Sequence, residues 1–181
     1  NYTTLGSFAF SFPATRWWSI GFGLRPFSSV GYKIHDSGQD DILGTMHFLY
    51  EGSGGINQVY VGQAFSPVKG LSIGVNVSYL FGNLQRFTSV YSDSLGIYRT
   101  NKTVSNDVKG WHAGFGLQYH AKMGSEGSIT LGGIYGLQTD LDITRGEVVQ
   151  RMLPGFTRYD TIRYVQGEEG RMQIPTYWGA G

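Results

Sequence analysis

The chain has 181 residues, of which 28 are glycine and 15% carry an aromatic ring, while only 15% are charged, against roughly 25% in an average soluble domain. With 14 Lys and Arg against 13 Asp and Glu the net charge is +1, and no basic cluster interleaves with rings, which argues against a nucleic-acid partner. The absence of cysteine excludes disulfides, thiolate metal sites and cysteine nucleophiles, and no apolar run approaches the roughly 18 residues of a spanning helix.

A membrane stays open, because barrel strands need only about 9 to 11 residues each and leave a weak, alternating signal. Asn1 to Ser11 has neither a basic leader region nor a cleavage site, so the expectation is a processed precursor or a chain that begins partway through a longer one.

Taken in order, Phe8, Phe10 and Phe12 alternate with Ser7, Ala9 and Ser11, and Trp18, Ile20, Phe22 and Leu24 alternate with Ser19, Gly21 and Gly23. The clearest segment is Leu71 to Gly82, where Leu71, Ile73, Val75, Val77, Tyr79 and Phe81 share one parity and Ser72, Gly74, Asn76 and Ser78 the other. Trp111 to Ala121 repeats the pattern, and Ile129 to Thr139 does so again. A period of two predicts strands with one apolar face. Alternation alone fits a soluble sandwich or a barrel. The polar face favours the barrel: it carries Gly, Ser, Asn, Gln and His rather than Lys and Glu, with no formal charge from Leu71 to Asn83, which suits a crowded interior. Trp17, Trp18, Tyr79, Phe81 and Trp111 lie near segment ends, where an interfacial aromatic girdle is expected.

Connections alternate in length. Pro13 to Arg16, Pro67 to Gly70 and Lys122 to Gly127 are short and rich in turn formers, whereas residues of about 25–55, 83–110 and 140–172 are long and hold most of the charge. The short turns are expected on the periplasmic side and the long stretches outside, partly as projecting hairpins. One such hairpin is read from Val30 to His35 and Ile42 to Tyr50, parted by Asp36 to Asp41; others from Gln85 to Tyr91 with Tyr98 to Val104, and Glu147 to Leu153 with Thr157 to Val165. The prediction is an all-β, antiparallel transmembrane barrel: one partial domain over 1–181, contributing about seven membrane strands. An open sheet is not viable in lipid and single-chain bacterial barrels use even strand numbers, so the complete barrel is expected to be larger.

Several phrases resemble the FadL-like family of outer membrane transport proteins, in wording closest to its Bacteroidota versions. They are Phe12-Pro13 with Arg16-Trp17-Trp18 and Gly21-Phe22-Gly23-Leu24; Gly54 to Gly62; Ala64-Phe65-Ser66-Pro67 through Leu71-Ser72-Ile73-Gly74 to Tyr79-Leu80-Phe81-Gly82; and Ile174-Pro175 before Tyr177-Trp178-Gly179. The resemblance implies a barrel of about fourteen strands that passes hydrophobic molecules such as fatty acids, with an N-terminal plug and a lateral opening. No plug is visible in this sequence.

His112 and His120 share a parity and invite a metal or acid–base reading, but eight residues of strand separate them by roughly 26 Å. They read as polar wall residues, as do His35 and His47 in the external hairpin. Gly70-Leu71-Ser72-Ile73-Gly74 matches G-x-S-x-G by spelling, but it leads from a short turn into a segment of period two rather than from a strand into a helix, the context that nucleophile signature needs, so no enzyme is expected. Gly52-Ser53-Gly54-Gly55 reads as a turn, and Asp40-Asp41 and Glu168-Glu169 read as solvated loop tips. Asn76, Ser78, His112, Gln118, His120 and Gln138 are the candidate lumen-lining residues.

The function expected is a passive Gram-negative outer membrane channel for small hydrophobic compounds. The alternative is a non-transporting structural or docking subunit of an outer membrane secretion or assembly complex. The partners expected are outer membrane lipid, a hydrophobic ligand and, for the alternative, another protein. No cofactor or metal is expected.

Overall fold

A computed structural model describes residues 6–92, 98–123, 127–152 and 159–181. Among them the chain is all β: β1 Phe8–Pro13, β2 Trp18–Asp40, β3 Gly44–Val68, β4 Leu71–Ser92, β5 Arg99–Met123, β6 Gly127–Gly136, β7 Thr139–Met152, β8 Tyr159–Ile174 and β9 Tyr177–Ala180. All form one antiparallel sheet in the order β1-β2-β3-β4-β5-β6-β9, with β7 pairing β5 above β6 and β8 pairing β7 above β9. The sheet is open, with β1 at one edge and β8 and β9 at the other.

The four central strands run for 23, 25, 22 and 25 residues, far beyond the segments in which alternation was legible. The stretches expected as external loops are therefore paired strand for most of their length. Their Gly, Ser, Asp and Asn content looks like loop, but the ladder holds because every residue except Phe27 has a cross-strand partner: Arg25↔Gln58 continues to Asp40↔Gly44, and Gln85↔Ser105 to Val90↔Thr100. The first hairpin turns at Asp41 to Leu43, at the far end of the expected turn Asp36 to Asp41. Of the third expected hairpin and of the turn at Lys122 to Gly127, residues 153–158 and 124–126 lie outside the described residues.

Turn chemistry follows the sequence. Lys69 and Gly70 join β3 to β4, with Gly70 at φ +89°, a conformation that suits glycine. A Cβ there would also meet the His120 carbonyl oxygen, which crowds Gly70 because the His120 N–H donates to its carbonyl at 2.7 Å.

Two irregularities decide which side each residue faces, because one extra residue reverses the parity of everything beyond it. In β2 the pairing passes from Pro26↔Asn57 to Ser28↔Ile56, leaving Phe27 as a bulge. Between Gly114↔Gly136 and Lys109↔Asp142, β5 advances five residues and its partner six. The extra residue falls at Leu137-Gln138, and after it the odd residues take the face that Gly132 and Gly136 occupied before.

With these shifts followed, the buried apolar cluster Ile56, Leu80, Val108 and Leu141 lies on a single face, together with its partly buried neighbours Leu84, Ile143, Met172 and Ile174. That face is the inner one. A cavity on it is bordered both by Ser11 of β1 and by Tyr177 next to β6, strands that would stand roughly 29 Å apart in a flat sheet; the sheet must curl toward this face. Leu80 and Leu141 are fully buried, and Leu141 packs over Gly110, where a Cβ would lie 2.6 Å from the Leu141 Cδ2. Truncating either leucine to alanine costs about 2–5 kcal/mol by the usual cavity argument.

Higher on the inner face, Glu147 of β7 is buried beneath three cations. Its carboxylate meets Arg145 Nη2 at 2.7 Å, Lys102 Nζ of β5 at 3.2 Å and Arg163 Nε of β8 at 3.6 Å, so one acidic group ties three strands. Hydrogen bonding to Lys102 is the largest influence on it and, with the neighbouring positive charges, holds its pKa below the ordinary 4.5 against the opposing effect of burial. A carboxylate with a depressed folded-state pKa stabilises the fold above its unfolded value and loses that contribution as pH falls through the lower folded value. Limited proteolysis of β7 and β8 is therefore expected to accelerate severalfold as pH falls below about 4. Glu147→Gln should be cut faster at neutral pH and show no such acid step.

Candidate functional site

The inner face holds a cavity of about 430 Å³. Its floor is paved by residues opposite in parity to the apolar alternation: Gly21 of β2, Gly62 of β3, Gly74 and Asn76 of β4, Gly114 and Gly116 of β5. At Gly62, Gly74 and Gly116 a Cβ would meet nothing closer than 3.7 Å, so local crowding does not impose these glycines. They leave room above the sheet.

Three of the six candidate lining residues, Asn76, Ser78 and His112, border this cavity. Gln118 borders an adjoining space of about 640 Å³ toward the turn end, which shares Ala64, Gly74, Gly116 and Ile134 with the first. His120 sits in a third recess with Arg16, Lys69 and Gln118, its Nδ1 at 2.9 Å from Thr130 Oγ1. Gln138 falls at the break between β6 and β7 and is exposed in none of these spaces. No group of three His, Cys, Asp or Glu residues that could hold a metal occurs among the described residues.

The cavity also draws in residues that the sequence reading assigned to a loop or left unused. Arg25 stacks on Tyr60 with its Cζ 5.4 Å from the ring centroid. With the amide oxygen of Gln58 turned toward it, the guanidinium donates from Nε at 2.8 Å and Nη2 at 3.1 Å. The signal was present: Arg25 shares parity with Gly21 and Gly23, and Gln58 and Tyr60 oppose Val59 and Val61.

His112 is the best-placed polar group. It is buried, its ring stacks on Tyr177 at 5.9 Å and 7° between planes, and Ser78 Oγ donates to its carbonyl oxygen at 3.3 Å. The imidazole Nε2 has no hydrogen-bond partner among the described residues. A buried polar atom without one costs about 1–3 kcal/mol, and an apolar group of the same shape removes that cost. His112→Phe should keep the ring stack and raise the unfolding midpoint, while His112→Ala should lower it. A fall with His112→Phe would mean that the nitrogen is satisfied in the intact protein.

Directly above the cavity, the buried cluster of Leu80, Leu141, Ile56 and Val108 forms an apolar layer, and above that comes the Glu147 ion cluster. Along this part of the sheet, the inner face thus passes from small and polar to apolar to ionic.

The outer face is the reverse of a soluble sheet. Phe8, Phe10, Phe12, Phe22, Val59, Val61, Ile73, Val75, Val77, Phe115 and Leu117, the apolar positions of the alternation, are all exposed. Ring clusters close the band at both ends. Trp17 and Trp18 stack on Phe65, each at 6.1 Å, near the turns, and Tyr79 packs with Trp111 at 5.1 Å and Phe81 at 6.3 Å at the other end. Ile73 to Phe81 spans roughly 26 Å along the strand. Past this rim the outer face turns polar, with Asn83, Gln85, Asp107 and Lys109.

No curated protein and no solved structure matches the chain. The resemblance to FadL-like transporters is overturned by the family comparison, which matches a different family. The phrases that carried it, alternating small and apolar residues around proline turns, suit any curled sheet with an apolar outer face and so do not single out one family. The family model that matches, over residues 1–181, is BamG, and the chain belongs to the BamG family.

Proposed function

We propose that this chain forms part of the wall of an outer membrane β-barrel and serves as a non-transporting, docking subunit of an outer membrane assembly machine. It carries out no chemistry of its own. The BamG family is one of outer membrane assembly components, which favours this reading over a channel for fatty acids or other hydrophobic compounds.

The observation that carries the proposal is the height of the wall. A lipid-crossing strand needs about 9–11 residues, and the exposed apolar band with rings at both rims accounts for about that much. The central strands have 22 to 25 residues, so a paired wall on the order of 40 Å continues beyond the band. Outside lipid such a wall exceeds what a pore needs, and it offers a large rigid surface to another protein. The apolar layer above the cavity supports the same reading, since it interrupts the polar lining that a conduit would extend along this arc.

Two measurements test the proposal. Val77→Arg, at the middle of the outer band, should cost about 2–4 kcal/mol and impair insertion, whereas Asn76→Arg, facing the cavity, should insert. Equal tolerance of both would remove the lipid-facing assignment, because Val77 is already 43% exposed and an arginine there is harmless in water. Purification of the full-length protein in mild detergent should yield a stoichiometric protein partner. A solitary barrel with lipid-like density in its interior would return the argument to the channel.

A further inference from the structure

The hairpin of β2 and β3 ends in an apolar knob. Ile42 is 92% exposed, more than any other large hydrophobic residue among those described, and Leu43 beside it is 40% exposed. The knob is fixed rather than frayed. Asp40 Oδ1 accepts from the backbone N–H groups of Ile42 and Leu43, both at 2.9 Å, and Gly44 completes the turn at φ +72°. Ser92 Oγ of β4 donates to the Leu43 carbonyl oxygen at 2.7 Å, and the ladder is paired up to Asp40↔Gly44. A preorganised apolar side chain loses little entropy on binding, which is how interface anchors gain affinity.

Its surroundings narrow the occupant. From Ile34 to Phe48 there are three aspartates, Asp36, Asp40 and Asp41, and no lysine or arginine. Lipid is out of reach, since the outer apolar band ends near Phe27 and Ile42 stands roughly 45–50 Å further along the strand. A second copy of the same tip would bring like charges together, which disfavours pairing. A pocket that is apolar at its centre and basic at its rim complements both features.

We propose that Ile42 is a docking anchor, inserted into an apolar pocket with a lysine- or arginine-lined rim on a partner protein, with Asp41 facing that rim. This deepens the docking reading and rests on it. A photo-crosslinking residue placed at Ile42 of the full-length protein in its native outer membrane should give one protein adduct, absent when the residue is placed at Asn76, which faces the cavity. The crosslinked partner segment should contain basic residues. Ile42→Asp and Asp41→Lys should each lower recovery of that partner at least about tenfold. A basic-to-glutamate change in the crosslinked segment should restore recovery with Asp41→Lys. Ile42→Ala, which leaves the turn hydrogen bonds in place, controls for folding and should weaken recovery in the same direction. An adduct with lipopolysaccharide, no adduct above the Asn76 level, or wild-type recovery with Ile42→Asp would overturn the inference while leaving the docking reading standing. Failure to find any stoichiometric partner would overturn both.

Discussion

On the reading proposed above the apolar band lies in hydrocarbon, where a backbone N–H or C=O without a partner costs several kcal/mol, and no side chain can make up for a sheet that lacks its ladder. The pairing from Trp18↔Phe65 to Asp40↔Gly44, and its continuation through β3, β4 and β5, meets that demand strand by strand. Everything else about the molecule follows from keeping this ladder intact while the two faces change character along it. Glycine is the residue that lets them change. It admits the tight turn at Gly70 and lets Leu141 lie against the backbone at Gly110. Across the cavity floor it keeps the inner face thin without interrupting a single pair.

The bulge at Phe27 and the break at Leu137-Gln138 do more than relieve local strain. Each moves a run of side chains from one face to the other. In β2, the even residues Ile20, Phe22 and Leu24 point outward below the bulge, while Val30, Tyr32 and Ile34, still even, point inward above it. The outer face becomes polar where the apolar band ends, as the sequence reaches Lys33 and His35. In the other arm the same device puts Leu141 into the buried layer and Glu147 under its cations. Both shifts occur close to the upper ring cluster, so the sequence changes face where the environment of the wall changes.

This also explains how much was legible in advance. Strand positions in the apolar band, the short turns at Pro13 and Pro67, and the outer rings could be read directly, because there one parity is uniformly apolar. Beyond the band the hairpin strands around Val30 to His35 and Ile42 to Tyr50 were legible, and they do pair, but their length was not. The run of Gly, Ser and Asp from Asp36 to Asp41 reads as turn, and cross-strand partners cannot be seen in one segment alone. For the inner residues, parity sufficed for Asn76, Ser78 and His112, which border the cavity. It was not enough for Gln138, where an inserted residue breaks the count. Arg25 and Gln58 were missed for the opposite reason: their parity was informative, but Arg25 fell at the start of a stretch set aside as loop and Gln58 was given no role.

The overturned family resemblance makes a related physical point. Phrases such as Gly21-Phe22-Gly23-Leu24 and Leu71-Ser72-Ile73-Gly74 satisfy three requirements at once: outward apolar side chains, little inward volume and an unbroken ladder. Few residue choices satisfy all three, so unrelated curled sheets converge on similar wording in their apolar bands. Distinguishing information should therefore concentrate where those requirements lapse, in the tall paired wall and its tip. There the chain departs most from what a lipid-crossing strand needs: a buried Glu147 shared by three strands and a fixed, acid-flanked Ile42 have no role in crossing a membrane. On the docking reading proposed above, the paired extension, its ion cluster and its ordered tip are the parts of the sheet that meet a partner beyond the bilayer.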